Sequence, residues 1–310
     1  MPGTMHSNDS MVRRTALLVL VAALSACGGG SSSSDPPVEP SGQVINSTLR
    51  SESNGFTYAI QVFLPQSYAT GTTMLPVIYA TEGDAPYGAG GPGGTAVSRF
   101  ESFKQVMQRR GTQAILVGIG GTSQRGTDFL LPGATRYLNF ITKELAPAIE
   151  RQYRADPKRR ALSGLSHGGY FVVAALVLEG TAGALSFSHY LSTESSFGAH
   201  ADPAAYRAFE KQLDGKALPA TLFLAGARSS NGSVVVTPLY TQMAAQTNPG
   251  LTLLKAEYET THVGADVPAF EEALTRFFPL IKRPPPLARH RAQRPICYIF
   301  YSYVRLSIKR

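Results

Sequence analysis

Cysteine is nearly absent from this chain. Cys27 and Cys297 are the only two in 310 residues, and they stand near its opposite ends. Whatever folds between them is held by its core, without an internal disulfide. A long apolar run is missing as well. Ala16 to Ala26, the most apolar stretch near the start, is eleven residues, against the roughly 20 that a membrane-spanning helix needs. The body of the chain also lacks a positive surplus. The formal charge is +8, but Ile281 to Arg310 carry eight Lys/Arg and no Asp/Glu, leaving 21 basic against 21 acidic residues before them. Nucleic-acid recognition puts a basic stripe on the folded body, so no nucleic-acid partner is expected. With 43% hydrophobic residues, the length supports one large core or at most two modest ones.

The N-terminal segment reads as targeting rather than fold. Arg13 and Arg14 precede the apolar run in the manner of a secretory signal. Leu24-Ser25-Ala26-Cys27 resembles the lipobox of bacterial lipoproteins, whose cysteine is lipidated and becomes the mature N-terminus. Residues 28–43 are rich in Gly, Ser and Pro, a composition that forms a flexible tether. The expectation is a signal peptide over 1–27, a tether over 28–43, and an exported periplasmic protein anchored to the bacterial outer membrane through Cys27.

Residues 44–282 form the expected single domain. Short apolar runs at Thr57–Leu64, Pro76–Ala80, Ala114–Ile119, Arg160–Ser163, Thr221–Ala225 and Leu251–Tyr258 suit strands buried on both faces. Helical patterns fill the gaps at Val97–Arg110, Tyr137–Ile149, Gly168–Glu179, Pro203–Leu213 and Val267–Ile281. Such alternation predicts an α/β fold, a doubly wound, mostly parallel sheet with helices on both faces. Pro284-Pro285-Pro286 closes the pattern, and 283–310 reads as a basic, non-catalytic tail.

The strongest chemical signal is Gly164-Leu165-Ser166-His167-Gly168. The G-x-S-x-G pattern alone is weak; here a strand candidate precedes it and an apolar helix follows, the setting in which the serine occupies a tight strand-to-helix turn. A serine hydroxyl needs a base to take its proton. Of six histidines, His262 follows the last strand candidate and precedes the last helix, the place of the base in this chain order. His189 and His200 read as structural, and His167 contributes its backbone N–H rather than its ring.

From Ile119 to Phe171 the sequence resembles the putative esterase family, which includes esterase D, the enterobactin-type siderophore esterases and the mycobacterial mycolyltransferases. The matching pieces are Val117-Gly118-Ile119, Arg125 and Asp128, Phe140 to Glu150, and Arg159 to Gly169. The resemblance implies an α/β-hydrolase fold, acyl-ester chemistry, and no metal or other cofactor. It also implies an oxyanion hole whose amides are those of Gly83, in the turn Thr81-Glu82-Gly83-Asp84, and His167. The short link between Asp128 and Tyr137, where many relatives carry a longer insertion, implies an open site.

The triad acid is missing from its usual place. After Thr221–Ala225 and Gly226 comes Ala227-Arg228-Ser229-Ser230-Asn231, with no carboxylate. A Ser–His dyad, a neutral Ser or Asn orienting His262, or an acid from elsewhere all remain open. Glu194 is the first candidate for such an acid, before Glu259 and Asp266. The reading is a serine esterase acting on a small-molecule ester, siderophore esters among the candidates, through an acyl-enzyme on Ser166 with His262 as general base. A non-catalytic ligand-binding lipoprotein and an acyltransferase are the alternatives.

Overall fold

Strands whose alternate residues enter two different cores set the architecture. The computed structural model describes residues 42–87, 97–197 and 209–278, all within the second of two units, which divide at Glu39/Pro40. Eight strands form one sheet: β1 (Gln43–Arg50), β2 (Thr57–Leu64), β3 (Leu75–Thr81), β4 (Ile115–Ile119), β5 (Ala155–Leu165), β6 (His189–Thr193), β7 (Thr221–Ala227) and β8 (Thr252–Tyr258). Their spatial order is β1-β2-β4-β3-β5-β6-β7-β8. β1 and β2 run antiparallel to each other, β2 is antiparallel to β4, and every pairing from β4 to β8 is parallel. This is the doubly wound α/β-hydrolase fold that the sequence implied.

Period-two alternation explains the two cores. On β3, Val77 and Tyr79 face one core while Ile78 and Ala80 face the other; on β7, Leu222 and Leu224 oppose Phe223 and Ala225. The second core is closed by two helices, α1 (Arg99–Arg110) and α7 (Asp266–Phe277), whose Phe103 and Phe270 rings stack 3.7 Å apart. The first is covered by α2 (Arg125–Phe129), α3 (Ala134–Asn139), α4 (Ala146–Gln152), α5 (His167–Ala182) and α6 (Thr237–Ala244). α5 is apolar on every side and buried from Gly168 to Val177, as a helix sandwiched between sheet and helices must be. Local signals bound these helices. Ser98 Oγ accepts from the Glu101 amide at the start of α1, and Gly111 and Gly183 end α1 and α5 in the left-handed conformation.

Several elements depart from expectation. β1 is an edge strand with no buried residue, so no apolar pattern announces it. β5 begins at Ala155, five residues ahead of its apolar run. The helix expected over Tyr137–Ile149 runs from Ala134 to Gln152 and widens at Phe140–Leu145, where the Ala146 N–H donates to Ile141 O five residues back. Pro147, which has no amide to donate, follows that wide turn. Cys27 with its signal segment, most of the tether, His200, most of the Pro203–Leu213 helix and the 283–310 tail lie outside the described residues.

Candidate active site

The Gly83 turn, Ser166, Glu194 and His262 follow β3, β5, β6 and β8 at the C-terminal edge of the parallel strands, the place where open α/β sheets build their sites. β5 ends at Leu165 and α5 starts at His167, leaving Ser166 alone in the turn with φ 61° and ψ −114°. A Cβ on Gly164 would overlap the Gly168 carbonyl, so the sharpness of the turn requires glycine there. The Ser166 N–H donates to Thr193 O at 3.0 Å, and its carbonyl accepts from Tyr170 N at 3.0 Å and Ser196 N at 3.2 Å. The residues after β6 are thus bonded directly around the Ser166 peptide. Ser166 Oγ lies 2.8 Å from Ser196 Oγ. Among the described residues no hydrogen bond joins Ser166 to His262.

His262 sits just before the short turn Val263–Ala265, its side chain 37% exposed. Its Nδ1 is 2.7 Å from Glu194 Oε2, and Glu194 is fully buried. An ionised carboxylate can only accept, so Nδ1 carries a proton, and in the neutral imidazole the lone pair is then on Nε2. Glu194 leaves β6 with φ 49°, and its own N–H donates to Ala225 O at 2.8 Å. Its carboxylate then enters the bend after β7, where it accepts from the Ala227 amide and, at 3.2 Å, from the Asn231 amide. Asn231 Nδ2 donates back to Glu194 O at 3.0 Å. Burial pushes the Glu194 carboxyl up, but the bonds from His262, Ser230, Ala227 and Asn231 together hold it below its ordinary value. A Cβ at Gly226 would come within 2.9 Å of Glu194 Oε1 and 2.6 Å of Gly232 Cα; the bend admits the carboxylate because glycine is there. Ser230 Oγ stands 3.5 Å from His262 Nδ1, a poorer partner than Glu194. The other two acid candidates are engaged elsewhere: Glu259 pairs with Arg228 in solvent, and Asp266 with Arg99 in the interior.

The turn after β3 corrects one expectation. The Gly83 N–H donates to Ile119 O at 2.8 Å, extending the β3–β4 pairing by one bond, so it is not presented to a substrate. The next amide, Asp84 N–H, has no hydrogen-bond partner among the described residues. The Asp84 carboxylate accepts from Gly121 N at 2.7 Å and fixes the turn. Arg125 joins this turn to the elbow, pairing with Glu82 and placing Nη1 2.6 Å from His167 Nδ1. The His167 amide lies in the first turn of α5, where the helix dipole favours negative charge. Glu82, Ser166 and Glu194 are the three non-glycine residues at positive φ among those described, and all three are at this site. Sequence reasoning passed over Asp84 and Ser196. Nothing in composition or spacing marks either, since their contacts depend on which amides the sheet leaves over and on how the β6 loop wraps Ser166. No group of three or more His, Cys, Asp or Glu among the described residues is arranged to hold a metal.

Comparison with known proteins bears on the same region. The family described as "Putative esterase" matches residues 51–220. Ferri-bacillibactin esterase BesA of Bacillus subtilis (strain 168) is 28% identical over 155 residues, covering 42% of this chain and 51% of that protein. The chain thus spans about half the length of the curated relative it matches. Among solved structures, an IroE-like serine hydrolase from Shewanella oneidensis superposes with TM-score 0.63 at 23% identity, covering 76% of this chain and 79% of the other. The siderophore hydrolase EstB of Aspergillus nidulans gives TM-score 0.62 at 20% identity, covering 78% and 96%.

Proposed function

We propose that this chain, which belongs to the putative esterase family, is a serine esterase that works through a Ser166–His262–Glu194 triad. The observation that carries the reading is the 2.7 Å contact from buried Glu194 to His262 Nδ1, beside a serine held in a strand-to-helix elbow. In the reaction, Ser166 Oγ turns from Ser196 toward His262 and attacks the ester carbonyl while Nε2 takes its proton. Active-site hydrogen bonds of this kind commonly form only with substrate in place. The Asp84 and His167 amides donate to the oxyanion of the tetrahedral intermediate. His262 returns the proton to the leaving alkoxide, giving an acyl-enzyme. Water, deprotonated by the same nitrogen, then releases the acid and restores Ser166. Glu194 keeps Nδ1 protonated throughout and stabilises the imidazolium.

The names of the relatives point to siderophore esters as the substrate class, and the short link after Asp128 leaves the entrance open to bulky esters. The lipobox-like Leu24-Ser25-Ala26-Cys27 and the tether behind it support an exported enzyme anchored to the outer membrane through Cys27. With a carboxylate on His262, the missing acid no longer argues for a non-catalytic binder. An acyltransferase would use the same residues with an alcohol in place of water. The test is hydrolysis of p-nitrophenyl acetate together with labelling by a fluorophosphonate probe. Wild type hydrolyses the ester and is labelled once, and Ser166→Ala does neither; equal rates for the two proteins would end the assignment.

A further inference from the structure

Three loops must be held in register for this chemistry: the turn after β3, the elbow after β5, and the His262 loop before α7. One side chain reaches the root of each. Arg99, the first residue of α1, donates through Nη1 to Thr81 O at 2.7 Å and Ser163 O at 3.3 Å, and through Nη2 to Ser163 Oγ at 2.8 Å. Its Nε and Nη2 also hold the Asp266 carboxylate at 2.7 and 3.1 Å. Thr81 immediately precedes the Glu82-Gly83-Asp84 turn, Ser163 lies three residues before the nucleophile, and Asp266 four residues after the base. Arg99 and Asp266 are 1% and 0% exposed; no other ion pair between described residues has both side chains so buried.

We propose that the Arg99–Asp266 pair is a positioning clamp that sets the oxyanion turn, the nucleophile elbow and the base loop relative to one another. The proposal rests on the serine-esterase reading. Two physical facts favour it over a purely stabilising role. A buried ion pair gives little net stability over a well-packed apolar pair of similar volume, because desolvation offsets the Coulomb attraction. And only the planar, five-donor guanidinium can address two carbonyls, a hydroxyl and a bidentate carboxylate at once. The guanidinium also lies over the Phe103 ring, 4.5 Å from Cζ to centroid. Since Phe103 stacks on Phe270 of α7, the clamp and the α1–α7 packing fix the same geometry. An error of about 1 Å in the placement of reacting groups can cost roughly 100-fold in rate.

The test compares wild type with Arg99→Met/Asp266→Leu in the full chain. Readouts are melting temperature, kcat and KM on p-nitrophenyl acetate, and the number of sites titrated by the fluorophosphonate. A positioning role predicts a folded, fully titrated double variant whose kcat per titrated site falls about 10- to 100-fold with KM little changed. A merely structural role predicts fewer titrated sites, each turning over at the wild-type rate, and that result overturns the proposal. Ser163→Ala keeps the question decidable if the double variant does not fold. Removing that one hydroxyl contact should lower kcat per site by roughly threefold to tenfold, and an unchanged kcat overturns the clamp. A wild-type protein that is neither labelled nor active would instead refute the esterase reading itself.

Discussion

The bends after β6 and after β7 divide between them what a triad acid needs. The bend after β7 offers a cradle without an acid: the Ala227 and Asn231 amides converge beside His262, and Arg228 to Asn231 supply no carboxylate. The bend after β6 has the acid without a cradle of its own, and Glu194 reaches across to use its neighbour's. What His262 requires is a buried, hydrogen-bonded carboxylate at Nδ1; which strand delivers it is secondary. β6 can deliver it because Thr193 and Ser196 are bonded to the two sides of the Ser166 peptide, so its exit is already at the site.

The largest expected effect comes from breaking the borrowed contact with Glu194→Gln. The Ala227 amide donates to Oε1, and the Asn231 amide to Oε2, the oxygen that also faces Nδ1. With the glutamine oxygen held by Ala227, its NH2 takes the Oε2 place, faces Nδ1 and leaves the Asn231 amide without an acceptor. Nδ1 must then accept, Nε2 carries the proton, and the base is lost. A fall in kcat of about 10³- to 10⁴-fold is expected, measured with p-nitrophenyl acetate; a loss under tenfold would mean that a Ser–His dyad suffices. Next in size is returning the acid to the β7 bend. Glu194→Ala/Ser230→Asp should recover at least about tenfold of the activity lost in Glu194→Ala, since Ser230 Oγ already stands 3.5 Å from Nδ1.

Stability should report the same contact through pH. The native Glu194 carboxyl is held below its ordinary value, so its stabilisation is present above the unfolded-state value, near 4.3, and is lost as pH falls through the lower native value. The gap between wild type and Glu194→Gln, about 1–3 kcal/mol at neutral pH, should therefore close on acidification. A gap that widens would contradict the assignment. Arg228→Ala tests the exposed ties between the β7 bend and Glu259. With that pair 60% and 73% exposed, kcat should change less than about twofold and any effect should fade in high salt.

Much of the fold is legible in short apolar runs, because parallel strands buried on both faces leave continuous hydrophobic segments at Leu75–Thr81, Ile115–Ile119 and Thr221–Ala227. β1 escapes for the complementary reason: it pairs on one side only, none of its residues is fully buried, and only Ile45 and Leu49 lean against the core. Ser166 is legible because its turn is local, strand to glycine to serine to helix within a few residues. The proposed oxyanion donor is not. Whether Gly83 or Asp84 has a spare amide depends on how far the β3–β4 ladder runs, and its last bond, to Ile119, lies 36 residues away along the chain. Glu194 could be ranked first among the acids but not assigned. Its position depends on amides more than thirty residues downstream and on glycine at 226.

Glu82, Ser166 and Glu194 all hold a left-handed backbone that costs a residue with a side chain about 1–2 kcal/mol. Glycine at any of them would relax the main chain. Variants chosen for heat resistance alone would therefore be drawn toward glycine at the proposed nucleophile, whereas at Glu194 the hydrogen bonds of the buried carboxylate offset the backbone cost. At the nucleophile's one position in the rim of this sheet, robustness and reactivity are selected in opposite directions.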